Sequence, residues 1–196
     1  VIATINGGIL KVSESPDFPF NVRFNRMKIT EGKLPDRINF LFNRNGALWF
    51  LGDETKYGFI KNGNIKEYEI KDVNLRNAVT NGNKIWLGSY DNGVLELTIN
   101  DDSIQSQRWI TTADGLKSNN IYQLISDGNM LWIGTEKGID KIEFDADYKI
   151  KTTSHFGSAE GFEGVETNSN AGYIDRSGNL WFGTVNGLFA YSGTEI

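Results

Sequence analysis

The side chains best suited to hold a ligand lie in four short connecting segments, 30–37, 72–77, 112–120 and 158–170. These carry Lys33, Asp36, Arg37, Arg76, Asn77, Lys117, Asn119, Asn120, Glu163, Glu166, Asn168 and Asn170. Tight turns add Tyr90 and Asp91, Glu136 and Lys137, and Asn186. Amides, carboxylates and cations gathered in one place can make directed hydrogen bonds to a hydroxyl-rich or charged small ligand. The same groups also cap loops and satisfy free backbone groups, so a structural use is the competing reading.

Covalent and metal chemistry have little to build from. His155 is the single histidine and there is no cysteine, which leaves a histidine triad or a zinc cluster without partners; a surface position is expected for His155. The acidic pairs Asp101-Asp102 and Asp145/Asp147 fall at a turn and a strand end without the spacing of a calcium loop. Phosphate-loop, dinucleotide and nucleophile-elbow motifs are absent, so no cofactor, no metal and no catalytic residue are expected. The nearest approach to a general base beside a neutralising charge is Tyr90 with Lys117, the pair a propeller lyase would need. A net charge of −5 with no basic block argues against nucleic acid, and no stretch is long and apolar enough to enter a membrane. The lack of cysteine does not choose a compartment.

The elements that must position these residues are repeats. Residues 114–144, DGLKSNNIYQLISDGNMLWIGTEKGIDKIEF, set a grammar of β-run, Gly-Asn or Asn-Gly turn, apolar-Trp-apolar strand, then two glycines around a short polar turn. Segments 39–60, 77–97 and 171–191 repeat it, so that Trp49, Trp86, Trp132 and Trp181 share one phase at intervals of about 37, 46 and 49 residues. A fifth copy, VIATINGGILKV, keeps the frame with Val1 in place of Trp. Repeats of roughly 40 to 50 residues with four short strands each are the mark of a β-propeller. The all-β reading has strands of three, four, four, four and three per unit, with blades at about 1–36, 37–71, 72–112, 113–158 and 159–196. That total does not close under a four-strand rule. An open arc of four to five blades, cut from a larger ring, is therefore expected. The opening inside a strand pattern, with no initiator Met or leader, reads the same way.

In this frame the four phased tryptophans are packing residues between blades, whereas Trp109 is out of phase on an outer strand, where recognition or partial burial are both open. The pairs Gly88 and Gly93, Gly134 and Gly138, and Gly183 and Gly187 bracket the second turn of their blades as architecture. Up-down-up-down strands bring that second turn and the connection to the next blade out at one end. The ligand-binding residues expected at this mouth are Arg37, Arg76, Tyr90, Asp91, Lys117, Asn119, Asn120, Glu136, Lys137, Glu166, Asn168 and Asn170.

Residues 111–139, TTADGLKSNNIYQLISDGNMLWIGTEKGI, closely resemble the repeat of the two-component regulator propeller family, and 160–191 resemble its last-blade variant. Leu51-Gly52-Asp53 departs from the usual order, as does Val1. The resemblance implies a periplasmic sensor region of a hybrid two-component sensor histidine kinase in the inner membrane. In such proteins seven-bladed propellers precede a β-sandwich and the membrane helix, and the ligand is commonly an oligosaccharide. It also implies the partners: the remaining blades, the β-sandwich, and a second copy in a homodimer. Without the kinase residues, this stretch is expected to be a non-catalytic carbohydrate-sensing module that relays a signal towards the membrane. A structural or dimerising propeller without its own ligand is the rival reading, ahead of a polysaccharide lyase.

Overall fold

Asn45 and Gly46, with φ of 48° and 74°, form the tight turn their residue types predict, because both central residues of a type I′ turn need positive φ. Through it β4 (Ile38–Arg44) folds back on β5 (Ala47–Gly52), followed by β6 (Lys56–Lys61) and β7 (Asn64–Glu69). The structure is a computed structural model and describes residues 2–4, 8–14 and 22–192. Ahead of β4 lie β1 (Ile2–Thr4), β2 (Gly8–Glu14) and β3 (Val22–Arg26). The next sheet is β8 (Asn74–Asn81), β9 (Lys84–Tyr90), β10 (Val94–Asn100) and β11 (Ser103–Ile110). Then come β12 (Gln123–Asp127), β13 (Met130–Thr135), β14 (Gly138–Phe144) and β15 (Ile150–Phe156). The last sheet holds β16 (Thr167–Ile174), β17 (Leu180–Thr184) and β18 (Gly187–Tyr191).

Every sheet is an antiparallel meander in chain order, with three, four, four, four and three strands among the described residues. Successive small meanders of this kind are the blades of an all-β propeller. Val1, which stands for the tryptophan in the first copy, lies outside the described residues. One detail differs from the sequence reading: the first hairpin of the third sheet turns at Gly82-Asn83, one residue later than Asn81-Gly82, with Gly82 at φ 56°. Asn81 is the last residue of β8 instead, and its side-chain amide donates to Gly128 O at 2.5 Å.

The chain forms two compact units, residues 1–75 and 76–196. In the first, Ile9, Ile38, Leu48, Phe50 and Ile60 make the core. Trp49 is buried between Phe42 and Phe59, with ring centroids 5.9 and 4.8 Å away. In the second unit Trp86 stacks on Phe144 at 5.6 Å, and Trp132 meets Phe182 at 6.1 Å and Tyr191 at 4.9 Å. Each of these two indoles is thus covered by aromatic rings of the following sheet, pairs that contribute about 0.5–1.5 kcal/mol beyond their buried area. Trp181 is only partly buried and donates Nε1–H to Asp175 Oδ2 at 3.0 Å. Trp109 is also partly buried, on β11 opposite Leu95.

Polar clamps join sheets inside this unit. The buried Glu96 carboxylate accepts from Lys84 Nζ at 2.7 Å, Trp86 Nε1 at 3.1 Å and Arg108 Nη2 at 3.0 Å, while Arg108 also reaches Tyr148 O at 2.8 Å. Burial pushes the Glu96 carboxyl up, but the hydrogen bonds and charges of Arg108 and Lys84 more than offset this, and it titrates below its ordinary value. Among the described residues no helix is long and apolar enough to cross a membrane.

Candidate functional site

In the second unit the first strands of successive sheets, β8, β12 and β16, begin beside the connections that precede them. Side-chain amides set their spacing. Asn77 Nδ2 donates to Ile121 O at 3.3 Å and Tyr122 O at 3.1 Å, and Gln123 Nε2 donates to Asn168 O at 2.7 Å and Gly183 O at 2.6 Å. Thr167 Oγ1 adds a bond to Thr135 O at 3.1 Å. Gly88 is required by this closeness, since a Cβ there would run into Asn77 Oδ1 and lie 2.7 Å from Ile121 Cγ2. Its pair Gly93 serves the turn itself, at φ 83°.

The connection 111–120 runs along both neighbouring turns. Asn120 Oδ1 accepts from Asp91 N at 2.9 Å, and Asn119 O accepts from Gly93 N at 2.9 Å. On the other side Ser118 Oγ donates to Glu136 at 2.7 and 2.9 Å, and Lys137 Nζ donates to Lys117 O at 3.0 Å. The connection starts with a single 3-10 turn at Thr112–Asp114 that Asp114 caps by accepting from Thr111 N at 2.9 Å. Its counterpart at Ser158–Glu160 is capped by Glu160 in the same way, from Gly157 N at 2.9 Å. Second turns and connections therefore emerge at one end of this unit.

Around the start of β12, Arg76, Tyr90, Tyr122, Glu136 and Glu166 lie within electrostatic reach of one another. The guanidinium of Arg76 lies over the Tyr90 ring, Cζ 5.1 Å from its centroid, and 42% of Tyr90 is exposed. Tyr122 stands next to them, because Ile121 N donates to Ser89 O while Tyr122 N donates to Gly134 O. Glu136 follows on the same turn, and Glu166 is brought up by the Thr167–Thr135 bond and by its own carbonyl, which accepts from Val185 N at 3.1 Å. Burial pushes the Tyr122 phenol up, and the Glu136 and Glu166 carboxylates and Tyr90 act in the same direction against Arg76. Arg76 and Tyr90 thus meet next to Tyr122, within electrostatic reach of Glu136 and Glu166.

The expected site residues fall into four groups. Arg76, Tyr90, Glu136 and Glu166 share this cluster, and Asp91, Lys117, Lys137, Asn168 and Asn170 form an exposed rim. In β16, register slips between Thr167 and Gly172, which pushes Asn168, Ser169 and Asn170 outward, with Asn170 at φ 58°. Asn119 and Asn120 use their side-chain oxygens on backbone amides, Thr112 N and Asp91 N respectively. Arg37 belongs to the other unit, where it pairs with Glu54 at 3.5 Å.

One residue was not singled out by sequence reasoning, and another was placed wrongly. Tyr122 occupies the position just ahead of the inner strand, which the repeat marks only by phase. His155 is not the surface histidine the sequence suggested: its side chain is about one-fifth exposed and its Nδ1 lies 2.8 Å from Asp140 Oδ1. The two are direct partners across the β14–β15 pair, and Asp140 is buried. At the far end of the same inner strands lies a groove of about 280 Å³ lined by Val79, Leu124, Ser126, Gly172 and Tyr173.

No family model and no curated protein matches the chain. Among solved structures, the extracellular domain assigned to the hybrid two-component system BT3049 of B. thetaiotaomicron is similar at a TM-score of 0.65 and 21% identity. That match covers 89% of this chain and 24% of that one. The extracellular domain of BT4673, from the same organism and assigned to a one-component system, matches at 0.65 and 16%, over 97% of this chain and 29% of that one. The computationally designed protein Ika4 matches at 0.62 and 12%, over 85% and 98%. The chain thus spans about a quarter of the length of the two bacterial domains, and it is a β-propeller resembling these extracellular domains.

Proposed function

We propose that this chain is a non-catalytic, extracytoplasmic ligand-sensing part of a hybrid two-component sensor and that it grips an oligosaccharide at the mouth formed by Arg76, Tyr90, Tyr122, Glu136 and Glu166. The observation that carries this reading is the half-exposed Tyr90 ring, held by Arg76 beside a second phenol and two carboxylates. A sugar ring has an apolar face for the phenol and hydroxyls for the carboxylates and amides, the pairing by which concave polar sites fix orientation. In the parent protein a ligand that contacts several blades biases their packing, and the bias passes on towards membrane helices from a periplasmic location. It can do so only by its differential affinity for two states.

Calorimetry with a panel of neutral and acidic oligosaccharides tests the reading. Saturable heat is expected from one sugar class, with a loss of about two- to tenfold in affinity for Tyr90→Ala, the scale of a stacked aromatic contact. Absence of heat from every sugar would remove ligand sensing from this stretch.

The structural reading, a propeller with no ligand of its own, draws on a specific observation: Asn119 and Asn120 accept hydrogen bonds from backbone amides and so hold the mouth together. Alanine substitutions at Asn119, Asn120, Glu166 and Asn168 that leave signalling by the parent sensor intact would favour it.

A further inference from the structure

Surface cations of this chain commonly stand beside carboxylates: Lys33 with Asp36, Arg37 with Glu54, Lys56 with Glu67 and Lys151 with Glu143. Three in the first unit do not. Lys11, Arg26 and Lys28 are exposed and pair with no carboxylate among the described residues. All three line one groove of about 450 Å³, and its described lining residues include no carboxylate. The distribution of charge along the chain points the same way. Residues 1–75 hold eleven Lys and Arg against nine Asp and Glu, whereas residues 76–196 hold nine against sixteen.

Backbone bonds fix the groove on both sides. Lys11 of β2 is the direct partner of Asn25 on β3, and Arg26 ends that strand opposite Leu10. Beyond β3, Met27 N donates to Ile9 O at 2.7 Å and Thr30 N donates to Gly63 O at 2.8 Å, which holds Lys28 between β2 and the β6–β7 turn. That turn is a tight one, with Asn62 and Gly63 at φ 53° and 84°. Leu48 and Ile60, 8% and 5% exposed, make an apolar floor, and the amides of Asn43 and Asn62 border it. β1, the edge of the first sheet, contributes no lining residue.

Three like charges around a cleft repel one another until a counter-charge enters, and an anion there gains charge-assisted hydrogen bonds from two ammonium groups and a planar guanidinium. The carboxamides offer both donors and acceptors to hydroxyls, and the volume is that of a small-ligand cleft. We propose that this groove binds a small hydroxylated ligand through an anionic ester, phosphate or sulfate. Lys11, Arg26 and Lys28 hold the ester oxygens, the body of the ligand lies on Leu48 and Ile60, and Asn62 takes a hydroxyl. This site shares no residue with the mouth, so either can fail alone.

NMR titration of the 196-residue chain with glucose-6-phosphate, glucose-6-sulfate and glucose tests the site. Saturable shifts of the Gly46, Asn62 and Gly63 amides are expected with at least one ester, the tighter of the two identifying the charged group, and none with glucose. Lys28→Glu should weaken ester binding by about tenfold or more, whereas Lys28→Arg should retain it. Lys11→Glu, on a separate strand, should act like Lys28→Glu, and higher ionic strength should weaken binding to the wild type. Both lysines are exposed, so the rest of the amide spectrum should match the wild type. No shifts from either ester, shifts from glucose as large as from the esters, or ester binding unchanged by Lys28→Glu and Lys11→Glu would overturn the proposal.

Discussion

His155 Nδ1 lies 2.8 Å from Asp140 Oδ1, and the other oxygen of Asp140 accepts from the backbone N–H of Lys117 at 2.9 Å. One buried carboxylate therefore ties the outer strand β15 to the connection that carries the mouth. Replacing Asp140 by alanine leaves both donors without their acceptor, at a cost expected to be about 1–3 kcal/mol. Urea denaturation measures the loss, and hydrogen exchange should show faster opening at the Lys117 amide than in the wild type. An unchanged Lys117 amide would mean that the connection is held by its other bonds alone.

Glu96 anchors a second polar clamp, and its removal should be more costly. Its side chain is 4% exposed and that of Lys84 11%, so Glu96→Gln leaves an ammonium group largely out of water without its counter-charge. The expected loss is about 3–5 kcal/mol. The pH dependence has a definite sign. Because the folded pKa lies below the ordinary 4.5, the contribution is complete above that value and disappears as pH falls through the folded pKa. Urea midpoints of wild type and Glu96→Gln should differ by a constant amount near neutrality and converge only in acid.

The tryptophans should rank by what covers them. Trp86 and Trp132 are buried against rings of the following sheet, and their replacement by alanine is expected to cost about 3–5 kcal/mol each. Trp181 is partly exposed and should cost less, with its indole emission correspondingly redder. Thermal melts of the three single variants give the order; equal losses would contradict the difference in burial.

Much of the frame was legible because the repeat fixes it. The phase of Trp49, Trp86, Trp132 and Trp181, the Asn45-Gly46 turn and the strand count all follow from periodicity and φ preferences that act locally. What periodicity does not encode is which side chains meet across sheets. Asn77 and Gln123 read as an ordinary connection amide and an ordinary strand amide, yet each bridges to carbonyls more than forty residues away. The Asp140–His155 pair was hidden for a different reason. It needs the β14–β15 register, which a bulge between Glu143 and Phe144 shifts relative to a simple hairpin count. Within the second unit, topology alone groups the connections with the second turns, but only packing distinguishes Asn119 and Asn120, engaged with backbone, from Tyr90 and Glu166, turned to solvent.

The most direct test of the ligand-holding mouth is NMR of the chain titrated with the same panel of neutral and acidic oligosaccharides, following backbone amide and tyrosine ring signals. Shifts should concentrate at Arg76, Tyr90, Tyr122, Glu136 and Glu166, at one end of the inner strands. Shifts centred instead on the groove at Leu124, Ser126 and Tyr173, or no shifts at all, would contradict it.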